Sequence, residues 1–227
     1  MAKAVLGIEH MLSERPSNPR LRHLMWRVYT LASVIYEEVN DRRSLEFAEK
    51  ALQAASNSLE SEPNDTQARH NLARTTYRLG VLLVNLKQPV AAISKLSQAE
   101  TMFKSLIEMS PRNNYYRSDL ARIYLREGLA LQSLGKLDES NRTFDNAMGL
   151  WQFISEADPA NNNVRRDIAL TNMYVGDNWK NMRRSELATE RYKSALDIML
   201  QLKNQGARPE IDAPLITKMQ SFLAPGR

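Results

Sequence analysis

The chain has 227 residues, 43% of them hydrophobic, with 31 basic side chains, 26 acidic side chains and no cysteine. The absence of cysteine excludes disulfides, thiolate metal sites and cysteine nucleophiles, and it fits a reducing compartment, so we expect a cytoplasmic protein. No apolar run approaches the ~20 residues that a membrane helix needs, so no membrane contact is expected. The net charge of +5 is spread along the chain without a block of five like charges, which argues against a nucleic-acid footprint.

The first segment of the chain predicts an amphipathic helix. Its apolar side chains between residues 3 and 15 are Val5, Leu6, Ile8, Met11 and Leu12. We interpret residues 1–15 as a half-repeat, the second helix of a preceding unit. One apolar side of that half-repeat would otherwise face water, which makes self-association into a homo-oligomer one hypothesis for its role.

The long central segment carries an internal repeat. Three glycines are evenly spaced along it, and three prolines and three alanines keep the same interval. These residues are Gly80, Gly128 and Gly176; Pro63, Pro111 and Pro159; Ala99, Ala147 and Ala195. A fixed period of this length, about 48 residues, is typical of a solenoid. We therefore divide the segment into four units: residues 16–62, 63–110, 111–158 and 159–206.

Each unit is predicted to be a pair of antiparallel helices. In the third unit apolar residues at helical spacing run up to Leu134, and a second set runs from Leu137 to Asp158-Pro159. Proline ends that helix because it lacks an amide donor and forces its predecessor out of the α region. Asn113 and Asn161 suit the N-cap of the helix that follows. A glycine inside a helix costs about 1 kcal/mol relative to alanine, so the recurring glycines predict a close approach of the partner helix.

The last segment, residues 210–224, predicts a capping helix. Its apolar residues follow helical spacing, and Asp212 is the expected N-cap: the set is Leu215, Ile216, Met219, Phe222 and Leu223. Such a helix would cover the last apolar face of a solenoid.

The repeat residues resemble the tetratricopeptide (TPR) family. Gly128, Leu131, Gly135, Ser140, Phe144 and Ala147 match the signature positions of that repeat; Gly176, Trp179, Ala188, Tyr192 and Ala195 match them again, as do Gly80, Leu83, Ala92, Leu96 and Ala99. A first copy reads Ala32, Ile35, Ser44, Ala48 and Ala51, with Pro16 to Asn18 as its leading turn. The usual TPR period is shorter, about 34 residues, so the chain resembles a long-period variant. The resemblance implies an all-α, right-handed superhelical solenoid over residues 1–227 that binds a protein or peptide and needs no cofactor.

The C-terminal part is also similar to the C-terminal TPR regions of multi-domain bacterial serine/threonine kinases. The similarity rests on the segment from Tyr192 through Gln220 and on the motifs Ser118-Asp119-Leu120-Ala121 and Arg166-Asp167-Ile168-Ala169. It implies a regulatory or docking region that acts beside a kinase domain.

In TPR proteins the first helices of the hairpins line the concave surface that binds a partner. By the family's pattern the residues at that surface would be Trp26, Tyr29, Tyr36, Arg74, Tyr77, Asn85, Arg122, Leu125, Gln132, Met173, Asp177 and Lys180. Arg74 and Arg122 share one register and could hold a carboxylate, or they could simply be solvated. For Tyr29, Tyr77 and Met173 the alternative is packing between neighbouring units.

No catalytic or metal-binding pattern is present in the sequence. There is no glycine-rich phosphate loop and no catalytic kinase motif, and the three histidines are far apart. The leading hypothesis is therefore a non-catalytic interaction scaffold, and the first alternative is the regulatory region of a kinase. Nucleic-acid binding through the arginines of the first unit is disfavoured: these are Arg20, Arg22, Arg27, Arg42 and Arg43.

Overall fold

The computed structural model describes residues 2–15, 18–39, 42–206 and 208–224, and these contain helices and turns but no β-strand. The chain divides into two compact units, residues 1–112 and 113–227. Unit 1 contains α1 (Ala2–Glu14), α2 (Pro19–Glu38), α3 (Arg43–Ser61), α4 (Thr66–Asn85) and α5 (Pro89–Met109). Unit 2 contains α6 (Asn114–Ser133), α7 (Leu137–Ala157), α8 (Asn162–Asn181), α9 (Ser185–Asn204) and α10 (Pro209–Leu223).

The helices pack as hairpins of consecutive pairs. In unit 1, α2 pairs with α3 and α4 pairs with α5, while α1 packs on α2. In unit 2, α6 pairs with α7 and α8 pairs with α9, and α10 packs on α9. This confirms the predicted fold class, an all-α array of helix hairpins with a helix that covers its C-terminal end. Of the predicted leading turn, Pro16 and Ser17 lie outside the described residues. The single solenoid over the whole chain stays a prediction.

Side-chain caps and prolines set the helix boundaries between hairpins. Asp65, Asn113 and Asn161 each cap the helix that follows, accepting from a backbone N–H at 2.8, 3.0 and 3.2 Å. A cap of this kind contributes about 1 kcal/mol. The preceding helices end where a proline follows, because the residue before each proline has left the α region, with φ near −140° at Ser110 and Asp158.

A left-handed residue closes the tight turn inside three hairpins. The residue is Lys87 between α4 and α5, Gly135 between α6 and α7, and Arg183 between α8 and α9, with φ of 60°, 74° and 59°. In each turn the next amide donates to the carbonyl five residues back, at 2.9, 3.0 and 2.8 Å. This is the Schellman arrangement, which usually places glycine at the left-handed position. Only Gly135 follows that preference.

Lys87→Gly is expected to stabilise unit 1 by about 0.5–1 kcal/mol, because a left-handed residue other than glycine carries a steric cost that exceeds the added chain entropy of glycine. Urea unfolding followed by far-UV circular dichroism measures the change. Gly135→Ala is the matched control and should destabilise the equivalent turn by about 1 kcal/mol. A loss of stability in Lys87→Gly would contradict the assigned backbone conformation.

The recurring helical glycines lie against large side chains of the partner helix. A Cβ built on Gly80 would lie 2.8 Å from Leu96 Cγ, one on Gly128 2.6 Å from Phe144 Cδ1, and one on Gly176 2.7 Å from Tyr192 Cε1. These distances are below any ordinary carbon–carbon contact. The prediction of close approach is confirmed for all three glycines.

The capping helix α10 is held by apolar contacts and by one ion pair. Ile216 and Met219 are buried, and the ring of Phe222 stacks on Tyr192 with centroids 4.6 Å apart. Asp212 is not the N-cap that the sequence suggested, since α10 begins at Pro209. Its carboxylate instead accepts two bonds from the Arg166 guanidinium, at 2.7 and 2.8 Å. The side chains are 8% and 0% exposed, so both charges of the pair are removed from water.

Candidate partner-binding surfaces

Polar bonds join the first helices of neighbouring hairpins in unit 1. The indole Nε1 of Trp26 on α2 donates to Thr75 Oγ1 on α4 at 2.8 Å. At the other end Asn85 Nδ2 donates to Glu37 Oε1 at 2.8 Å, and the Arg78 guanidinium lies 3.6 Å from the same carboxylate. These contacts fix α2 and α4 relative to each other along their length.

A surface with basic and aromatic side chains lies on α2 and α4. We define the α2–α4 surface by Trp26, Arg74, Tyr77, Arg78 and Asn85. Arg74, Arg78 and Asn85 are exposed, whereas Trp26 and Tyr77 are half-buried. Arg74 has no hydrogen bond or ion pair to another side chain in the part of the chain that the structure describes. The surface therefore offers guanidinium donors on α4, with two half-buried aromatic side chains on the same pair of helices.

Arg78 is the member of this surface that the sequence analysis did not select. A signal for it exists, because Arg126 stands one repeat period after Arg78, just as Arg122 follows Arg74. The family pattern drew attention to the register of Arg74, which lies one helical turn away. Arg78 is exposed and faces the Glu37 carboxylate, so it belongs to the surface as much as Arg74 does.

Two aromatic residues predicted for the concave face are engaged in other packing. The Tyr29 hydroxyl donates to Glu9 Oε1 on α1 at 2.7 Å, and burial, together with this bond, raises the pKa of Tyr29. Tyr36 stacks on Phe47 with ring centroids 5.3 Å apart, and the Arg43 guanidinium lies 4.2 Å above the Tyr36 ring. Both tyrosines therefore contribute to the packing of α2 against α1 and α3.

A cavity of about 530 Å³ lies between α1, α2 and α3. Leu12, Met25 and Tyr29 form apolar parts of its wall, and Lys50 and Glu60 add charges of opposite sign. It is separate from the α2–α4 surface, and its mixed wall points to no single ligand chemistry.

In unit 2 the arginine at the predicted register is bound by acidic side chains. Arg122 Nη2 lies 3.4 Å from Asp167 Oδ2 on α8, and Nη1 lies 3.6 Å from Asp119 Oδ1. The pKa of Asp167 is raised, because the effect of burial exceeds the opposing effect of the nearby Arg122 and Arg126 charges. Arg122 thus joins α6 to α8 through two acidic neighbours and is not simply solvated.

Gln132 belongs to a second polar contact between α6 and α8. Its Nε2 donates to Asn178 Oδ1 at 2.6 Å, and the buried Asn178 in turn donates to Ser140 Oγ at 2.9 Å and Asn141 Oδ1 at 2.8 Å. A buried amide that is hydrogen-bonded in this way costs little free energy, whereas an unpaired one would cost roughly 1–3 kcal/mol. The network fixes the relative position of α6 and α8.

Leu125 and Met173 do not line a surface. Their side chains are 5% and 2% exposed and pack into the core of unit 2. Their assignment to a partner-binding face is therefore corrected, and for Met173 the alternative of packing between helices is the right one. A large apolar side chain at this register is covered by the neighbouring hairpin.

The last two predicted residues contact the capping helix. Asp177 accepts from the Tyr192 hydroxyl at 2.8 Å and from Lys218 Nζ on α10 at 3.4 Å. The Lys180 ammonium lies 4.3 Å from the centre of the Phe222 ring, a cation–π distance, and the side chain is exposed. Of the two, Lys180 presents the more accessible charge.

The chain is similar in structure to several solved proteins. No protein-family model matches the sequence, and no curated protein matches it either. The apo form of RapI superposes with a TM-score of 0.66 at 13% identity, over 98% of this chain and 52% of RapI. BtubC from P. vanneervenii gives a TM-score of 0.58 at 13% identity, over 98% of this chain and 82% of BtubC. TTC0263, a TPR protein of Thermus thermophilus, gives 0.43 at 19% identity, over 98% of this chain and 90% of TTC0263.

These comparisons concern the fold alone. The matches to RapI and BtubC show that the arrangement of helices occurs in solved proteins, and the third match is too distant to carry an argument. The chain spans about half the length of RapI.

Residues 2–15, 18–39, 42–206 and 208–224 contain no helix long and apolar enough to cross a bilayer. The same ranges contain no group of three or more histidine and acidic side chains placed to hold a metal ion.

Proposed function

We propose that the chain is a non-catalytic protein-interaction scaffold and that a peptide or protein partner binds the α2–α4 surface. The observation that carries the proposal is the pair of exposed guanidinium groups, Arg74 and Arg78, beside Trp26 and Tyr77 on helices fixed to one another by polar bonds. Arginine and aromatic residues are the types enriched at interface hot spots. Helices that are already fixed lose little entropy when a partner binds.

The partner that fits this surface is an acidic segment. Arginine binds carboxylates through charge-assisted and often bidentate hydrogen bonds. Only the Glu37 carboxylate lies close to Arg78, and Arg74 is unmatched among the described side chains, so the surface keeps a positive excess. From Arg74 to Asn85 the helix rises by about 16 Å, which corresponds to about five residues of an extended peptide.

Gln132, Asp177 and Lys180 form a second, weaker candidate surface on unit 2. Arg122 is shared between the Asp119 and Asp167 carboxylates, whereas Arg74 has no such partner among the described side chains, so the main contact is proposed for unit 1. Lys180 is the group on unit 2 that can add a salt-sensitive contact.

The variant Arg74→Glu/Arg78→Glu is expected to weaken binding of an acidic peptide by at least ~10-fold, since each lost charge-assisted bond is worth about 1.5–3 kcal/mol. Fluorescence anisotropy measures the affinity, with a labelled peptide selected against the wild-type chain from a library of ~12-residue sequences. Arg142→Glu/Lys193→Glu, on α7 and α9, makes the same change in net charge away from the α2–α4 surface and should leave the affinity within ~2-fold. Selected peptides without acidic residues, or equal affinities for the three proteins, would contradict the proposal.

A regulatory or docking role beside a bacterial serine/threonine kinase is the alternative proposal. Its support is the sequence similarity of the two motifs that contain Asp119 and Asp167 and of the segment from Tyr192 through Gln220. That role would place the chain in the bacterial cytoplasm. Reading the genomic frame around the coding sequence decides the matter, because a kinase domain in the same frame supports this role and a separate short gene contradicts it.

A further inference from the structure

The helix α2 carries an exposed apolar stripe. Its members are separated by seven, four and four residues, so they lie on one side of the helix. We define the α2 stripe as Leu24, Leu31, Ile35 and Val39; all four are exposed, with Leu31 at 53%. Apolar side chains gathered in this way on a water-facing helix mark an interaction site more often than isolated ones do.

The same registers are buried elsewhere in the chain. Leu79 and Val175 stand one and three repeat periods after Leu31, and both are 3% exposed. Leu83 and Leu131, at the register of Ile35, are buried as well. In unit 2 the side chain of Val175 is covered by Leu125 of the preceding first helix, α6. In that hairpin the register of Leu31 is therefore covered by the first helix of the neighbouring hairpin.

Within the described part of unit 1 only α1 lies on this side of α2. Val5 of α1 packs against Ala32, Val28 and Phe47, and the α2 stripe remains exposed beside that contact. By analogy with Val175, we expect Leu31 and Ile35 to be covered by the first helix of another hairpin.

The charges along the stripe favour an antiparallel neighbour. Arg20 and Arg27 flank the N-terminal half of the stripe, and Glu38 flanks its C-terminal half on the same side. All three are exposed and have no ion pair with the side chains that the structure describes. An antiparallel copy of α2 would place its Glu38 between Arg20 and Arg27, whereas in a parallel, in-register copy Glu38 would lie about 16 Å or more along the helix from either arginine.

We infer that the α2 stripe is a homodimer interface, in which a second copy of the chain packs its own α2 antiparallel about a two-fold axis near Leu31. A two-fold contact of this kind is self-complementary and closed. A head-to-tail contact is disfavoured, because α10 covers the end of unit 2 with Ile216 and Met219. The inference goes beyond the proposed function, since Arg74 and Arg78 lie on α4 outside the stripe.

Sedimentation velocity tests the interface directly. The wild-type chain is expected to have twice the protomer mass of 26.0 kDa between ~10 and ~100 µM. Leu31→Glu should be monomeric over that range, with an unchanged far-UV spectrum. Val90→Glu changes an apolar side chain on α5 that is even more exposed, at 71%, and should remain dimeric. A monomeric wild type, or a dimer that Leu31→Glu leaves intact, would overturn the inference.

Charge reversal tests the antiparallel arrangement. Glu38→Arg alone should weaken the dimer by at least ~10-fold, and Arg20→Glu/Arg27→Glu should do the same. The triple variant that combines these changes restores opposite charges and should return the dissociation constant to within ~3-fold of wild type. A triple variant weaker than either parent would overturn the antiparallel register.

Engineered cysteines locate the axis, and the chain has no native cysteine to interfere. Leu31→Cys should form an intermolecular disulfide, because the two copies meet at the axis. Leu24→Cys should not, since the two copies would be about 21 Å apart along the helices. A mixture of Leu24→Cys and Glu38→Cys chains should cross-link to each other. The Leu31→Glu variant should still bind the acidic peptide, because Leu31 lies outside the α2–α4 surface. Loss of the dimer and loss of peptide binding can therefore be distinguished.

Discussion

Asp212→Ala is expected to lower the free energy of unfolding of unit 2 by about 3–5 kcal/mol, because it leaves the Arg166 charge buried without its partner. The two bonds of 2.7 and 2.8 Å and the near-complete burial of both side chains place this pair in the class where removal of one ion is costly. The hydrogen bond to Asp212 also raises the pKa of Arg166, so the guanidinium stays charged. Urea denaturation followed by tryptophan fluorescence gives the change in free energy.

Two controls separate burial from simple charge loss. Arg166→Met/Asp212→Leu should cost far less than Asp212→Ala, because a buried ion pair can be replaced by packed apolar groups at little net cost. Glu139→Ala removes the exposed partner of Lys136 and should change stability by less than ~1 kcal/mol. Equal effects of Asp212→Ala and Glu139→Ala would show that the pair contributes no more than a surface contact.

The Arg166-Asp167 dipeptide illustrates which part of the structure the sequence could not supply. Two adjacent side chains on α8 take different partners: Arg166 binds Asp212 on α10, and Asp167 binds Arg122 on α6. Local rules made Asp212 a reasonable N-cap, because an acidic residue near a helix start is common. Its actual role depends on where α10 docks, which is a long-range contact that no local pattern encodes.

Helix boundaries, in contrast, follow from local chemistry. Asn113 and Asn161 cap the next helices as expected, and the residues before Pro111 and Pro159 end the previous ones. Each feature depends on two to four neighbouring residues, so the sequence is sufficient to predict it. The same is true of the tight turn at Gly135.

The candidate surface was only partly predictable, because residue types alone do not determine which side of a helix faces solvent. Arg74 was selected and is exposed. Leu125 was selected as well, three residues after Arg122, which stands at the position equivalent to Arg74, but Leu125 is buried in the core. Three residues correspond to about 60° around a helix, which is enough to change from solvent to a neighbouring hairpin. Tyrosine, leucine and methionine occur both in cores and at interfaces, so composition does not resolve that angle.

Phe144→Ala is expected to destabilise unit 2 by about 3–5 kcal/mol, because it empties a fully buried site. Gly128→Ala should cost about 1–3 kcal/mol, since its Cβ would overlap the Phe144 ring, although alanine normally gains about 1 kcal/mol over glycine in a helix. Gly149→Ala on α7 is the matched control, because nothing lies within 4 Å of its Cβ position, and it should stabilise the chain. Thermal and urea unfolding measure all three variants.

The double variant Gly128→Ala/Phe144→Ala tests whether the two positions are coupled. Its cost should be smaller than the sum of the single costs by at least ~1 kcal/mol, because the added methyl group no longer meets a ring and fills part of the cavity. The first hairpin already has this combination: Ala32 on α2 and Ala48 on α3 stand sixteen residues apart, as Gly128 and Phe144 do, and both are buried. Strictly additive costs would mean that the glycine is present for another reason than the ring it faces. A coupled result would explain why the hairpin with alanine at the first position has no aromatic residue at the second.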